Sequence, residues 1–515
     1  SGGPITLDQT SVEYYGTVFA LAESPVTRGV LWAGTDDGLV QLSRDAGKTW
    51  TNVTPPLLKE REWARISIIE ASRYSAGTAY VAANRFQMDD NQPYLFKTTD
   101  FGKTWTRIDG SGQATGIPST EFTRVIREDE VRKGLLFAGT ERGLYVSMDD
   151  GGTWVSLRRN MPIVPVHDIA IKEGDLIAAT HGRSFYVIDD LSALRQLSSS
   201  VLASASHLFT PRTTYRINWG GGFSASQSDS PVGANPPNGA IVNYWLKSAA
   251  RKVTIEFRDS TGRTVRSFSS DTAGAGAAAA APTGRRGVAP DGNPTNRTGM
   301  NTFSWNLREA DATRFDGMIF WAGSTTGPLV LPGTYTVRLL VDGGTAQEAK
   351  FVVKADPRAK ATPADLIAQY KLAMQIRDRT TDANDAVRTV RYVRDQAVAR
   401  SKQVGADSAQ YATLIKSLDT RISEIEAKIY QVKNRSGQDP LNYPIKVNNQ
   451  IAALAGVVGS TDARPTKQSY QVFDILTKEL EGYLVELRAA WKELLPPIDE
   501  ILKKHGQPGI EVKAA

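Results

Sequence analysis

Between residues 16 and 190 apolar and polar positions alternate in short runs, the period of strands that bury one face. Val18–Glu23, Ile66–Ala71, Thr123–Arg127 and His167–Lys172 each open a unit. A second run follows each of them: Leu31–Thr35, Ala79–Ala83, Leu136–Thr140 and Leu176–Thr180. In the first three units a turn and a third strand then lead into a shared segment of the form S/T-x-D-x-G-x-T-W. It stands at Ser43–Trp50, Thr98–Trp105 and Ser147–Trp154, while the fourth unit runs into Ile188-Asp-Asp-Leu191 instead. Repeats of about 40 to 55 residues with four strands each predict propeller blades.

The shared segment is an Asp box, and each residue type has a physical task. Asp45, Asp100 and Asp149 accept hydrogen bonds from turn N–H groups. Gly47, Gly102 and Gly151 supply a positive φ. Trp50, Trp105 and Trp154 offer large apolar plates for packing between sheets. The first strand of each unit is expected innermost and the Trp strand outermost. That order puts the Asp boxes on one face of the disc. The second-to-third turns and the blade connections lie on the other face, where a ligand is expected. Four blades do not comfortably close a ring, so an open edge with unpaired apolar surface is expected.

The pattern changes after Leu197. His207–Arg212 reads as a linker. Ala240–Leu246, Lys252–Arg258, Thr264–Phe268, Gly299–Leu307, Gly333–Val341 and Ala349–Lys354 read as strands of an immunoglobulin-like β-sandwich. Residues 271–296, rich in Ala, Gly and Pro, read as a mobile loop inside it. From Thr362 apolar residues recur at spacings of three and four, as at Tyr411, Leu414, Leu418, Ile422 and at Phe473, Leu476, Leu480, Leu484. This predicts amphipathic helices packed as a bundle, started by Thr362-Pro-Ala-Asp365. The expected fold is therefore multidomain and mainly β: a partial propeller over 1–197, a linker and sandwich over 198–356, and a helical bundle over 357–515.

Composition adds exclusions. The chain has no cysteine, which removes disulfides and thiolate chemistry. No apolar run is long enough for a transmembrane segment. The net charge of +6 is spread over 515 residues, and no nucleic-acid motif accompanies the short basic clusters. The chain begins at Ser1 without a methionine, so a processed start is expected.

The Asp boxes are followed by Ala179–Leu191, Asn235–Ala240, Gly299-Met-Asn301 and Pro332-Gly-Thr-Tyr-Thr-Val337. Parts in this order resemble the C-terminal half of large bacterial exported proteins, described as sortilin-like or as Asp-box (BNR-repeat) glycosyl-hydrolase-like. The resemblance implies an exported location. It also implies further propeller blades, supplied by an N-terminal fragment or a second chain, or through self-assembly.

Candidate channel-face residues are Asp36, Asp37, Arg65, Arg85, Glu141, Arg142, His167, Asp168, His181 and Arg183. The two histidines with Asp168 and Arg183 form the most promising polar cluster, suited to acid/base work or to a metal, or else satisfied by neighbouring backbone. Asp89 and Asp90 are the candidate for a Ca²⁺ site, and no other cofactor is implied. A sialidase-like hydrolase requires an arginine cluster, a Tyr/Glu pair and an acid/base carboxyl, and these cannot be matched onto named positions. The expected function is binding or scaffolding of a peptide, protein or glycan. A glycoside hydrolase and a structural subunit of an extracellular assembly are the alternatives.

Overall fold

The computed structural model describes residues 16–217, 239–271 and 292–512, which leaves most of the expected loop 271–296 outside the described residues. The chain divides into two compact units, Ser1–Leu202 and Ala203–Ala515.

The alternating runs of the first unit form four antiparallel meander sheets in chain order, a propeller-like arrangement. Blade 1 is β1 (Val18–Glu23), β2 (Leu31–Thr35), β3 (Val40–Ser43) and β4 (Thr51–Asn52), followed by the short helix α1 (Pro56–Glu60). Blade 2 is β5 (Arg65–Ala71), β6 (Ala79–Arg85), β7 (Asp90–Thr98) and β8 (Thr106–Arg107). Blade 3 is β9 (Thr123–Glu128), β10 (Leu136–Thr140), β11 (Gly143–Ser147) and β12 (Val155–Ser156). Blade 4 has three strands among the described residues, β13 (Val166–Lys172), β14 (Asp175–Thr180) and β15 (Phe185–Ile188). Its expected fourth strand is replaced by a turn. Asp190 takes a φ of 62°, and the Leu191 N–H donates to Gly174 O at 2.8 Å, sending the chain into α2 (Ser192–Gln196).

The Asp box works as its residue types require. Asp100 Oδ1 accepts from the Thr104 N–H at 2.9 Å and Oδ2 from the Thr104 hydroxyl at 2.6 Å, while the Gly102 N–H donates to Thr98 Oγ1 at 2.9 Å. Asp45 and Asp149 repeat this pattern. Hydrogen bonds from Thr49 and Thr104 hold Asp45 and Asp100 down at about 2.

The tryptophans tie each blade to the one before it. Trp105 Nε1–H donates to Val53 O of blade 1 at 2.7 Å, and Trp154 Nε1–H donates to Ile108 O of blade 2 at 2.6 Å. The same boxes press their glycines onto those residues. A Cβ on Gly102 would come within 2.6 Å of Val53 Cβ, and one on Gly151 within 2.7 Å of Ile108 Cβ. Among the described residues, Trp50 has no such neighbour. Its Nε1–H turns back to Gly47 O in its own turn at 3.1 Å, and it is 43% exposed where Trp154 is 3%.

Burial parity shows the same open edge. In blade 3 Leu136, Phe137 and Ala138 are all fully buried, so both faces of β10 are covered. In blade 1 Trp32 is buried towards blade 2, in edge contact with Trp105, while Leu21 on the opposite face is 69% exposed. In blade 4 Leu176 and Ala178 are buried towards blade 3, while Phe185 on the other face is 70% exposed with Val187 beside it. The inner strands β1, β5, β9 and β13 pack one against the next, and among the described residues the stack ends in an uncovered apolar face at each side.

After α3 (Ser199–Ala203), which closes the first unit, the second unit begins with a three-stranded sheet of β16 (Ser206–Leu208), β18 (Ala240–Leu246) and β21 (Gly299–Trp305). It packs on a five-stranded sheet of β17 (Thr214–Arg216), β23 (Gln347–Ala355), β22 (Gly333–Val341), β19 (Val253–Arg258) and β20 (Thr264–Ser269). Phe257 stacked on Trp305 at 4.3 Å sits in their shared core. The segment read as a linker supplies an edge strand, β16, too short for its pattern to show. The helices are α4 (Pro363–Arg400), α5 (Ser408–Ile429), α6 (Val447–Val458) and α7 (Lys467–Lys504). Thr362 and Asp365 cap α4 reciprocally.

Sandwich and helices form one unit because the loop after β21 enters the helical core. Phe315 and Met318 are buried there, and the Trp321 N–H donates to Asn449 Oδ1 at 2.8 Å. Buried Arg216 adds an ion pair to Asp462 at 2.6 Å. Among the described residues, no helix is long and apolar enough to cross a membrane.

The two Trp environments predict unequal mutational costs. Trp154→Ala is expected to destabilise the first unit by about 3–5 kcal/mol. In the chain on its own, Trp50→Ala is expected to cost about 0.5 kcal/mol or less. Urea unfolding followed by circular dichroism checks both, and equal losses would show that Trp50 is already packed.

Candidate functional site

Every inner strand carries a β-bulge at the same place. The register slips between Val18 and Ala20, Ile66 and Ile68, Thr123 and Val125, and Val166 and Asp168. Phe19, Ser67, Arg124 and His167 are thereby the extra residues, and a bulge re-aims its side chain. Val18 pairs with Thr35, Thr123 with Thr140 and Val166 with Thr180, so the bulges lie beside the second-to-third turns. β3 reaches its Asp box beside the opposite end of β2, where Leu31 pairs with Ser43. The bulges and the Asp boxes therefore occupy opposite faces. A repeated bond fixes the turns to the inner strands. The N–H groups of Asp36, Glu141 and His181 donate to the carbonyls of Thr17, Phe122 and Pro165 at 3.1, 3.1 and 2.9 Å.

Most carboxylates on this rim have partners. Asp36 Oδ1 accepts from the N–H groups of Gly16 and Thr17 at 2.8 and 3.0 Å, and Asp37 accepts from the Thr35 hydroxyl. Both serve their own blade. Glu141 accepts from Arg124 Nη2 at 2.6 Å, and the Arg124 guanidinium lies over Phe122, itself stacked on Phe86. Asp90 accepts from Arg85 at 2.9 Å, Arg61 at 3.2 Å and the Tyr94 hydroxyl at 2.6 Å. Burial pushes the Asp90 carboxyl up, but these bonds and the Gln92 N–H outweigh it and leave it below its ordinary value. Two guanidiniums already compete with any cation for Asp90. Asp89, at a φ of 56°, closes the short turn before β7. Among the described residues, no group of three or more His, Asp or Glu is placed to hold a metal.

One arginine spans three blades. Arg127 on β9 donates to Glu70 on β5 at 3.1 Å, to Asp168 on β13 at 2.7 Å and to Ile169 O at 3.0 Å. Burial pushes the Glu70 carboxyl up while Arg127 pulls it down, and the net displacement is upward. Asp168, grouped with the histidines in the sequence, is thus committed to this clamp.

Three arginines keep spare donors on this rim, while exposed Asp89 makes no side-chain bond among the described residues. Arg65 rests over Phe19 at 4.9 Å and bonds Gln87 at 3.1 Å, with no carboxylate partner among the described residues. Arg142 is 3.9 Å from Glu121, and Arg183 donates to Gly182 O at 3.1 Å. His167 and His181 meet with ring centroids 4.9 Å apart. Burial, the Arg124 charge and His181 hold His167 below its ordinary value against the pull of Glu141.

Sequence reasoning missed Arg61, Glu70, Phe86, Phe122, Arg124 and Arg127. A signal for Arg124 was present. Aligned as Val18-Phe-Ala-Leu21, Ile66-Ser-Ile-Ile69, Thr123-Arg-Val-Ile126 and Val166-His-Asp-Ile169, the inner strands break strict alternation at the second position, which marks the bulge.

Two concavities lie elsewhere. A cavity of about 70 Å³ beside Arg216, Gln369 and Tyr370 belongs to the second unit. Arg216 there donates to Val330 O and Gln369 and is ion-paired with Asp462. A groove of about 470 Å³ beside Lys97, Arg107 and Gln113 lies at the Asp box of blade 3.

The clamp yields a prediction. Arg127→Met leaves buried Glu70 with only the more distant Arg73 as counter-charge and frees half-exposed Asp168, and is expected to destabilise the first unit by about 1–3 kcal/mol. Removing both carboxylates as well, by Glu70→Gln and Asp168→Asn, should recover much of that loss in urea unfolding. No recovery would show that Arg127 acts by packing alone.

No protein-family model matches the chain, and no curated protein does. Among solved structures it is similar to YCF48 bound to D1 peptide, with 19% identity, a TM-score of 0.26, and coverage of 34% of this chain and 52% of that one. YCF48 from Cyanidioschyzon merolae gives 18% identity, a TM-score of 0.25, and coverage of 34% and 53%. An ancestral GH74 enzyme gives 14% identity, a TM-score of 0.27, and coverage of 65% and 47%. The chain spans about half the length of each of these structures. At such identities and scores, the chain's own geometry remains the ground for reading its function.

Proposed function

We propose that the first unit is part of an Asp-box propeller in an exported binding protein. Its bulged rim receives an acidic segment of a peptide or protein. The supporting observation is the imbalance of uncommitted charge. Asp36, Asp37, Asp90, Glu141 and Asp168 are bonded within the protein, while Arg65, Arg142 and Arg183 keep donors for a ligand. Phe19 adds an exposed apolar surface beneath Arg65. The carboxylates most suited to hydrolysis, Glu70 and Asp168, share one guanidinium. That arrangement suits a binding rim better than an acid/base couple.

The ring is closed in this reading by further blades of the same kind, from an upstream fragment, a second chain or another copy. The repeat specifies their chemistry. The blade before β1 offers a carbonyl to Trp50, as Val53 and Ile108 do to Trp105 and Trp154, and an aromatic face to Leu21. The blade after β15 covers Phe185 and Val187. The immunoglobulin-like sandwich and the helices serve as a spacer or an assembly surface.

The test is binding of a fluorescein-labelled hexa-aspartate peptide at pH 7.5, followed by anisotropy. The wild type should bind and weaken as salt rises. Combining Arg65→Ala, Arg142→Ala and Arg183→Ala should weaken binding by about tenfold or more. Absence of binding by the wild type, or equal binding by the variant, contradicts the proposal.

A further inference from the structure

The rim holds one feature that an acidic ligand does not by itself require, a histidine pair. His167 is the bulge residue of β13, and His181 opens the turn after β14 that the Pro165 carbonyl fixes beside it. Their rings are 4.9 Å apart and tilted by 37°. Both are exposed on the rim, so protonation needs no opening of the fold.

The charged groups around them come from each neighbouring element. β9 contributes Arg124, the bulge residue of the preceding blade, and the turn between β10 and β11 contributes Glu141 and Arg142. The turn after β14 contributes Arg183, while Asp168 on β13 is drawn to Arg127. Glu141, the carboxylate facing the pair, is already bonded to Arg124 at 2.6 Å.

Resting on the acidic-ligand reading, we infer that His167 and His181 make this rim acid-responsive: protonation of the pair adds positive charge beside Arg124 and Arg183 and tightens the hold on an anionic segment. Without ligand, the like charges of His181 and Arg124 oppose protonation of His167. An anion seated over the pair removes that opposition. By linkage, ligand binding takes up protons, and lower pH strengthens binding. The lower end of the window lies below the ordinary histidine value of about 6.5, because burial, Arg124 and His181 all shift unliganded His167 downwards, and the bound anion sets the upper end. An aspartate-rich ligand keeps its charge across that window.

Two measurements on the full chain test the inference. The chain has four histidines, so the imidazole Hε1 signals can be assigned by substitution and titrated by NMR. His167 should titrate below the ordinary value and move up when His181 is replaced by Gln. A His167 midpoint indifferent to His181→Gln overturns the coupling. Hexa-aspartate binding is then compared at pH 7.5 and 5.5. The wild type should bind roughly threefold or more tightly at the lower pH, and the ratio should fall to about one in the His167→Gln, His181→Gln double variant. Binding at pH 7.5 with no gain at pH 5.5, or a gain that survives in the double variant, overturns the inference and leaves the acidic-ligand reading intact. No binding at either pH overturns both.

Discussion

The bond from an Asp-box tryptophan to the preceding blade governs the first unit. Trp105 and Trp154 each place an indole N–H on a carbonyl one blade back, and the adjoining glycines let the turn press onto Val53 and Ile108. The carboxylate, hydroxyl and glycine of the box hold the indole at the angle that reaches that carbonyl. A latch of this kind always points backwards. A stack built from it cannot satisfy its own first member, and Trp50 is that member. Its self-directed bond and its exposure mark the latch without its partner. The apolar faces of blades 1 and 4 follow from the same one-directional construction. Large uncovered apolar faces on a β-structure call for a covering surface.

The latch and the rim divide the blade between them. Bulges at the start of β1, β5, β9 and β13 break the ladder on the face where no box needs it intact. They turn Phe19, Ser67, Arg124 and His167 out of the regular alternation. Arg127, near the Asp-box end of β9, ties three inner strands together, so the bulge residues of blades 3 and 4 rise from braced strands. Stability is concentrated on one face and available charge on the other.

How much of this the sequence carried differs by element. The four inner strands, the second strands and the Asp-box turns were readable because alternation and the S/T-x-D-x-G-x-T-W spacing are local properties. The cap of α4 was readable for the same reason. Three things were hidden. The bulges shift register by one residue, and the resulting irregularity is visible only when four strands are compared. Arg127 meets Glu70 and Asp168 over 57 and 41 positions of sequence, so no local pattern announces it. The fusion of sandwich and helices depends on Phe315 and Met318, which sit in a loop without periodicity. Of the candidate rim residues, Asp36, Asp37 and Asp90 were chosen for their charge, and the structure spends that charge internally. Arg65, Arg142 and Arg183 keep donors facing the rim.

The claim at the centre is that the faces around Trp50 and Phe185 are covered by further blades in the native particle. Hydroxyl-radical footprinting of that particle reads it directly at Leu21, Trp50, Phe185 and Val187, with exposed Val155 and Ile163 as internal references. A covered ring predicts slow oxidation at all four positions relative to the references. Oxidation of Trp50 and Phe185 as fast as that of Val155 and Ile163 would contradict it.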